Sequence, residues 1–223
     1  MSELLAAITV ETAPDPRHAV IWLHGLGADG SDFEPIVPEF RLPPGLGIRF
    51  IFPHAPMMAV TCNYGYVMRA WYDIRNIDGI EREVDEAGIL ASRSAVRRLI
   101  AQQNAQGIAS ANIVLAGFSQ GGAMAYTCGL THPERLAGIV ALSAYVPAPA
   151  VLAAEFDKAN ADTPIFAAHG IDDPVVPIEL GMAAVEQVAG LRSRPEWHNY
   201  RMPHSVCAQE IADLGAWFAA RFQ

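Results

Sequence analysis

Short apolar runs alternate along this chain with stretches of helical period, and that alternation predicts an α/β fold. Ala19–Leu23 reads as a strand ending at His24-Gly25, and Ile48–Phe52 as a second, stopped by Pro53. Residues 53–73 mix prolines, aromatics and glycine without a clear period, so they predict a long loop. In a compact domain such a loop is usually functional. From Glu81 to about Gln106 the residues Val84, Ala87, Ala91, Ala95 and Leu99 recur at helical spacing and predict a long helix. Asn112–Ala116 is a β-branched apolar run and predicts a buried strand. The small residues from Gly122 to Leu130 predict a helix lying close on a sheet. Gly138–Ser143 and Pro164–His169 read as two more strands, and Ile178–Ala189 as a helix. Glu196–Tyr200 reads as the last strand, with a closing helix from about Val206 to Phe222. Strands separated by helices pair in parallel through right-handed crossovers. With no internal repeat, low-complexity tract or linker, residues 1–223 are expected to form one domain. Its sheet should be mostly parallel, with helices on both faces.

Composition agrees. Hydrophobic residues make up 52% of the 223 and charged residues 17%, the latter below the ~25% usual for soluble domains. Strands buried on both faces account for that balance. A net charge of −9 argues against nucleic acid or an anionic membrane as partner. Met1–Val10 lacks a basic start and is followed by Glu11, so no secretory leader is expected. No apolar run approaches the ~18 residues of a membrane span. Cys62, Cys128 and Cys207 are odd in number and widely spaced, which predicts reduced thiols in a cytoplasmic protein.

The candidate chemistry centres on Gly117-Phe118-Ser119-Gln120-Gly121. A strand before this G-x-S-x-G run and a helix after it force the serine into a sharp turn, and the glycines remove Cβ atoms that would clash there. Ser119 is then presented at the carboxyl end of the sheet as a nucleophile. It needs a base, and the base needs an orienting carboxylate, both on the same rim. His204 lies between the last strand and the last helix. Of the other histidines, His18 and His132 fall at element edges and His198 inside a strand, while His54 and His169 precede the last strand. For the acid, Asp172 and Asp173 are not separated by position. The His24-Gly25-Leu26-Gly27 loop after the first strand suits one donor of an oxyanion hole, the N–H of Leu26; the N–H of Gln120 is the other. No pair of histidines has metal-ligand spacing, so neither metal nor cofactor is expected.

These residues resemble a known family. Trp22–Asp29, Pro53-His54-Ala55-Pro56, Trp71-Tyr72-Asp73-Ile74, Gly117–Gly122, His169–Pro177 and Met202-Pro203-His204 are similar, in order, to motifs of the carboxylesterase/acyl-protein thioesterase family, and in particular to its bacterial carboxylesterases. The resemblance runs from about residue 20 to the C-terminus. It implies an α/β-hydrolase fold and selects Asp173 as the acid. It also implies Ser119 as nucleophile, His204 as base, and Leu26 and Gln120 as oxyanion donors. The chain departs from the family at Pro203, where glycine commonly precedes the histidine, and at Ala59, where proline is frequent.

The expected activity is therefore hydrolysis of a small-molecule acyl ester or thioester. Residues 144–163 are too few for a cap domain, so an open site is expected. Met57, Met58, Val60 and Trp71 of the 53–73 loop are its expected acyl-binding wall. Short to medium acyl esters are the first expectation. Acyl-protein thioesterase or lysophospholipase activity is the second, and a non-catalytic hydrolase-fold binding protein the third. A homodimer through the apolar loops is a further expectation.

Overall fold

The structure is a computed structural model and describes residues 4–78 and 80–222. Its first strands are β1 (Ala7–Glu11), β2 (His18–Leu23) and β3 (Ile48–Pro53). Four short ones follow: β4 (Met57–Val60), β5 (Tyr66–Arg69), β6 (Ile74–Asp78) and β7 (Glu81–Val84). Then come α1 (Glu86–Ala105), β8 (Ile113–Phe118), α2 (Gln120–Leu130), β9 (Gly138–Leu142) and α3 (Pro149–Glu155). The chain closes with β10 (Ile165–Gly170), α4 (Ile178–Ala189), β11 (Glu196–Tyr200) and α5 (Ala208–Arg221).

Among the described residues the main sheet has seven strands in the order β1-β3-β2-β8-β9-β10-β11. Every pairing in it is parallel except the edge strand β1, which runs antiparallel to β3. Side chains alternate between its faces with period two. On β2, Ala19, Ile21 and Leu23 join one core while Val20 and Trp22 join the other. On β8 the same split puts Ile113 and Leu115 on one side and Val114, Ala116 and Phe118 on the other. The first core is closed by α1, α2 and α4, through residues such as Val96, Met124 and Val185. The second is closed by α5 and the 3-10 segment Glu34–Phe40, through Phe40, Trp217 and Phe218. Apolarity on both strand faces follows from these two layers, and the α/β-hydrolase fold expected from the motifs is the one observed.

Three local expectations are corrected. Residues 53–73 are not a plain loop: β4 and β5 pair antiparallel, Met58 opposite Met68, around a turn at Tyr64-Gly65 with both residues at positive φ. Residues 81–84 are not helical, because they pair with β6 as a second hairpin. Helix α1 begins at Glu86, where the Asp85 side chain accepts the Gly88 N–H and satisfies one orphan donor of the first turn. Its buried stripe is Ile89, Ser92, Val96, Leu99 and Gln103, while Ala87 and Ala91 face solvent. Strand β1 carries a half-buried alternating pattern and was not foreseen.

Candidate active site

The geometry begins with β8 delivering the chain into a turn too tight for side chains. A Cβ on Gly117 would sit 2.3 Å from the Gly121 carbonyl carbon, and one on Gly121 would sit 2.0 Å from the Leu23 oxygen. Between them Ser119 takes φ 54° and ψ −119°, a conformation costly for a residue with a side chain. Backbone bonds hold it there: Ser119 N–H donates to Leu142 O at 2.8 Å, and Ala123 N–H donates to Ser119 O at 3.0 Å. Gln120 opens α2, so the unpaired N–H groups of the helix's first turn lie beside the serine.

His204 follows β11, in the segment before α5. Its Nδ1 lies 2.7 Å from Asp173 Oδ2, and its Nε2 lies 2.9 Å from Ser119 Oγ. An ionised carboxylate only accepts, so Nδ1 carries the proton and Nε2 accepts from the serine hydroxyl. Asp173 is buried, and its other oxygen, Oδ1, accepts the N–H groups of Val175 and Val176, each at 2.9 Å. Burial pushes the Asp173 carboxyl up, but bonds from His204, Val176 and Val175 together outweigh it and hold the carboxyl below its ordinary value. Buried His169 donates Nε2–H to Val176 O at 2.8 Å and so shapes the same acid loop; burial keeps its imidazole neutral. Asp172, by contrast, is exposed, and its N–H donates to Met202 O at 3.2 Å. The structure thus brings Ser119, His204 and Asp173 together.

Leu26 and Gln120 both line the cavity at Ser119. The loop that carries Leu26 is anchored by buried His24, whose Nε2 accepts the Ala55 N–H at 3.0 Å and whose Nδ1 lies 2.7 Å from Gly25 O. Burial lowers the His24 pKa, which suits this neutral cross-link. Gly27 N–H donates to Arg69 O at 2.9 Å, tying the loop to β5 as well.

A cavity of about 370 Å³ opens over the serine. Its apolar wall includes Leu26, Ile74, Ile77, Phe118, Tyr145 and Val175, with Asp32, Cys62, Asn63 and Arg82 as polar members. The expected wall residues are elsewhere. Met57 is exposed on β4, Met58 faces Met68 across the hairpin, and Val60 and Trp71 are buried; none of the four lines this cavity. The β6–β7 hairpin supplies Ile74, Ile77 and Arg82 instead. Reading residues 81–84 as helix hid that hairpin. Tyr145 was open to inference, because it follows β9 on the rim where sites of parallel sheets gather. Cys62 keeps its proton, its thiol raised by burial and then by Asp73. Among the described residues, no group of three or more His, Cys, Asp or Glu side chains is placed to hold a metal ion.

Residues 5–220 match the family model described as Phospholipase/Carboxylesterase. The chain is 41% identical to acyl-protein thioesterase 1 of Neurospora crassa over 87% of this chain and 84% of the relative. It is 37% identical to acyl-protein thioesterase 1 of Mycosarcoma maydis over 90% of each. The crystal structure of Arabidopsis thaliana SOBER1 superimposes with a TM-score of 0.88 at 33% identity, covering 93% of this chain and 100% of that one. These relatives are fungal and plant proteins, so the expected likeness to bacterial carboxylesterases in particular is not borne out. A match along nearly the whole chain, joined to this fold and these identities, shows that the protein belongs to the phospholipase/carboxylesterase family of α/β-hydrolases.

Proposed function

We propose that the protein is a serine hydrolase of carboxylic esters and thioesters, with Ser119 as nucleophile, His204 as base and Asp173 as its orienting acid. The observation that carries this reading is the continuous relay from Asp173 Oδ2 through the imidazole to Ser119 Oγ, with contacts of 2.7 and 2.9 Å. His204 Nε2 takes the hydroxyl proton as Oγ attacks the acyl carbonyl. Asp173 holds the productive tautomer and stabilises the imidazolium. The N–H groups of Leu26 and Gln120 receive the developing oxyanion, which removing one donor would destabilise by about 2.7–4 kcal/mol. His204 returns the proton to the departing alcohol or thiol. Water then enters and adds to the acyl carbon as it loses a proton to His204, which returns that proton to Ser119 Oγ as the acid leaves.

Substrates are short to medium acyl esters in this reading. The cavity is modest in volume, and only α3 and a short 3-10 turn lie between β9 and β10, where a cap would be inserted. Acyl-protein thioesterase activity is the second reading, supported by the names of the fungal relatives. We place the protein in the cytoplasm as one domain spanning residues 1–223. The family match over residues 5–220 supports the domain, and no described helix is long and apolar enough to cross a membrane. A homodimer through the exposed apolar residues of β4 and β5 remains part of the proposal. A p-nitrophenyl ester series from acetate to palmitate, run beside an acyl-thioester, tests the substrate assignment. Rates that climb over short chains and flatten at medium length are expected. A steady rise to palmitate with faster thioester turnover would favour the second reading.

A further inference from the structure

Trp71 is fully buried, lies outside the cavity and yet bonds to both segments that present the oxyanion donors. Its indole Nε1–H donates to His24 O at 2.9 Å, two residues before Leu26. Its backbone N–H donates to the side-chain Oε1 of Gln120 at 2.8 Å. The same Gln120 amide donates Nε2–H to Tyr72 O at 2.8 Å, so the amide orientation is determined at both ends. On the far side, the Ser92 hydroxyl of α1 donates to Trp71 O. One residue therefore spans from the loop after β2 to the first residue of α2 and is pinned to a long helix behind it.

The geometry points to Trp71 as a positioning residue for the oxyanion hole: it sets the separation of the Leu26 and Gln120 N–H groups. The inference rests on the hydrolase reading above. These donors lie on two independent segments, one after β2 and one after β8. Pairing of the strands fixes the segments only up to their ends; beyond Leu23 and Gly117 the ladder stops. The Trp71 bridge is a hydrogen-bonded cross-link between them past that point. Oxyanion stabilisation needs both donors within hydrogen-bond distance of one oxygen before the reaction begins. A donor moved by a fraction of an ångström weakens the transition state while leaving ground-state acyl binding, which depends on the cavity wall, almost unchanged.

Trp71→Phe keeps the buried ring and removes the indole donor. Active sites are titrated with a fluorophosphonate, so that kcat is expressed per functional serine. Trp71→Phe is expected to lower kcat about tenfold to a hundredfold, below the 10²–10³ typical of losing a donor outright. KM should stay within about twofold. Affinity for a trifluoromethyl ketone, whose serine adduct places an oxyanion in the hole, should fall in step with kcat. Ser92→Ala, which frees the Trp71 carbonyl without touching the ring, should show the same paired fall at about threefold. Leu99→Ala, a truncation in the same core, should lower the unfolding temperature without changing kcat per titrated site. The inference is overturned if kcat per site in Trp71→Phe stays within twofold of wild type, or if ketone affinity does not follow kcat. Should Trp71→Phe fail to fold, Ser92→Ala with kcat and ketone affinity both unchanged overturns it equally. A wild type that hydrolyses no ester and binds no ketone would instead overturn the hydrolase reading itself.

Discussion

His204 Nδ1 meets Asp173 through Oδ2 alone, because Oδ1 is already held by the N–H groups of Val175 and Val176. The carboxylate is thus fixed by the backbone as well as by the imidazole, and the contact dictates which ring nitrogen faces Ser119.

Asp173→Asn should therefore lower kcat by about 10⁴-fold, because the amide can present its N–H to the imidazole and trap the wrong tautomer. Asp172→Asn should stay within a few-fold of wild type, since its exposed side chain lies outside the relay. Steady-state kinetics on a single ester, with folding checked by circular dichroism, decides the matter. Equal losses in the two variants would refute the assignment of the acid.

Two buried acids should give stability opposite pH dependences. Glu210, in the first turn of α5, is fully buried, and burial raises its carboxyl from 4.5 to about 8. Between those values the folded chain holds a proton that the unfolded chain has released. Its contribution to stability is therefore present below about pH 4.5 and lost as pH rises toward 8, at up to about 1.4 kcal/mol per pH unit. The lowered Asp173 pKa acts the other way: its contribution is present above 3.8 and lost as pH falls through the folded value. Glu210→Gln should flatten the decline in unfolding temperature between pH 5 and 8. Parallel curves for the variant and wild type would show that Glu210 is not its source.

Acyl-length selectivity should follow Ile77 rather than Met57. Ile77 lines the cavity from the β6–β7 hairpin, while Met57 lies outside it. Each buried methylene is worth roughly 0.8 kcal/mol, about a fourfold gain in kcat/KM until the cavity ends. Ile77→Ala should reduce the climb from acetate to hexanoate esters, and Met57→Ala should leave it unchanged. The reverse ranking would return the wall to the β4–β5 hairpin.

The first turn of α2 should tolerate no side chain at Gly121. An alanine Cβ there would meet the Leu23 carbonyl at 2.0 Å, and backbone cannot rotate away as a side chain can. Gly121→Ala should cost more than about 3 kcal/mol, beyond the usual range for overpacking. Gly45→Ala, at φ +84° with open space around it, should cost only about 1–2 kcal/mol. Urea titration of both variants compares them directly, and similar midpoints would count against the close approach.

Much of this site was legible because its chemistry is written in local pattern. The run from Asn112 to Leu130 carries its own strand, glycine turn and helix, and His204 falls where the last strand ends. The β-branched strands were legible for the same reason. What local pattern could not show was pairing between short segments. Glu81–Val84 is compatible with a helix and becomes a strand only because β6 lies beside it. Met57 to Arg69 has no clean alternation, with Met57, Tyr66 and Val67 exposed and Val60 buried, and its pairing was invisible. Trp71, expected in the acyl-binding wall, lies outside the cavity. Its apolar ring suggested a wall, whereas its indole N–H and backbone N–H are engaged behind the site.

The central claim is that Ser119 is the attacking group, and the most direct measurement is ester hydrolysis by Ser119→Ala. Ser119 is half-buried where it lines the cavity, and among the described residues its hydroxyl bonds to His204, so alanine should leave the fold intact. Using p-nitrophenyl butyrate and protein freed of contaminating esterase, kcat should fall on the order of 10⁴-fold or more relative to wild type. Activity of Ser119→Ala within tenfold of wild type, with the same thermal unfolding, would contradict the account.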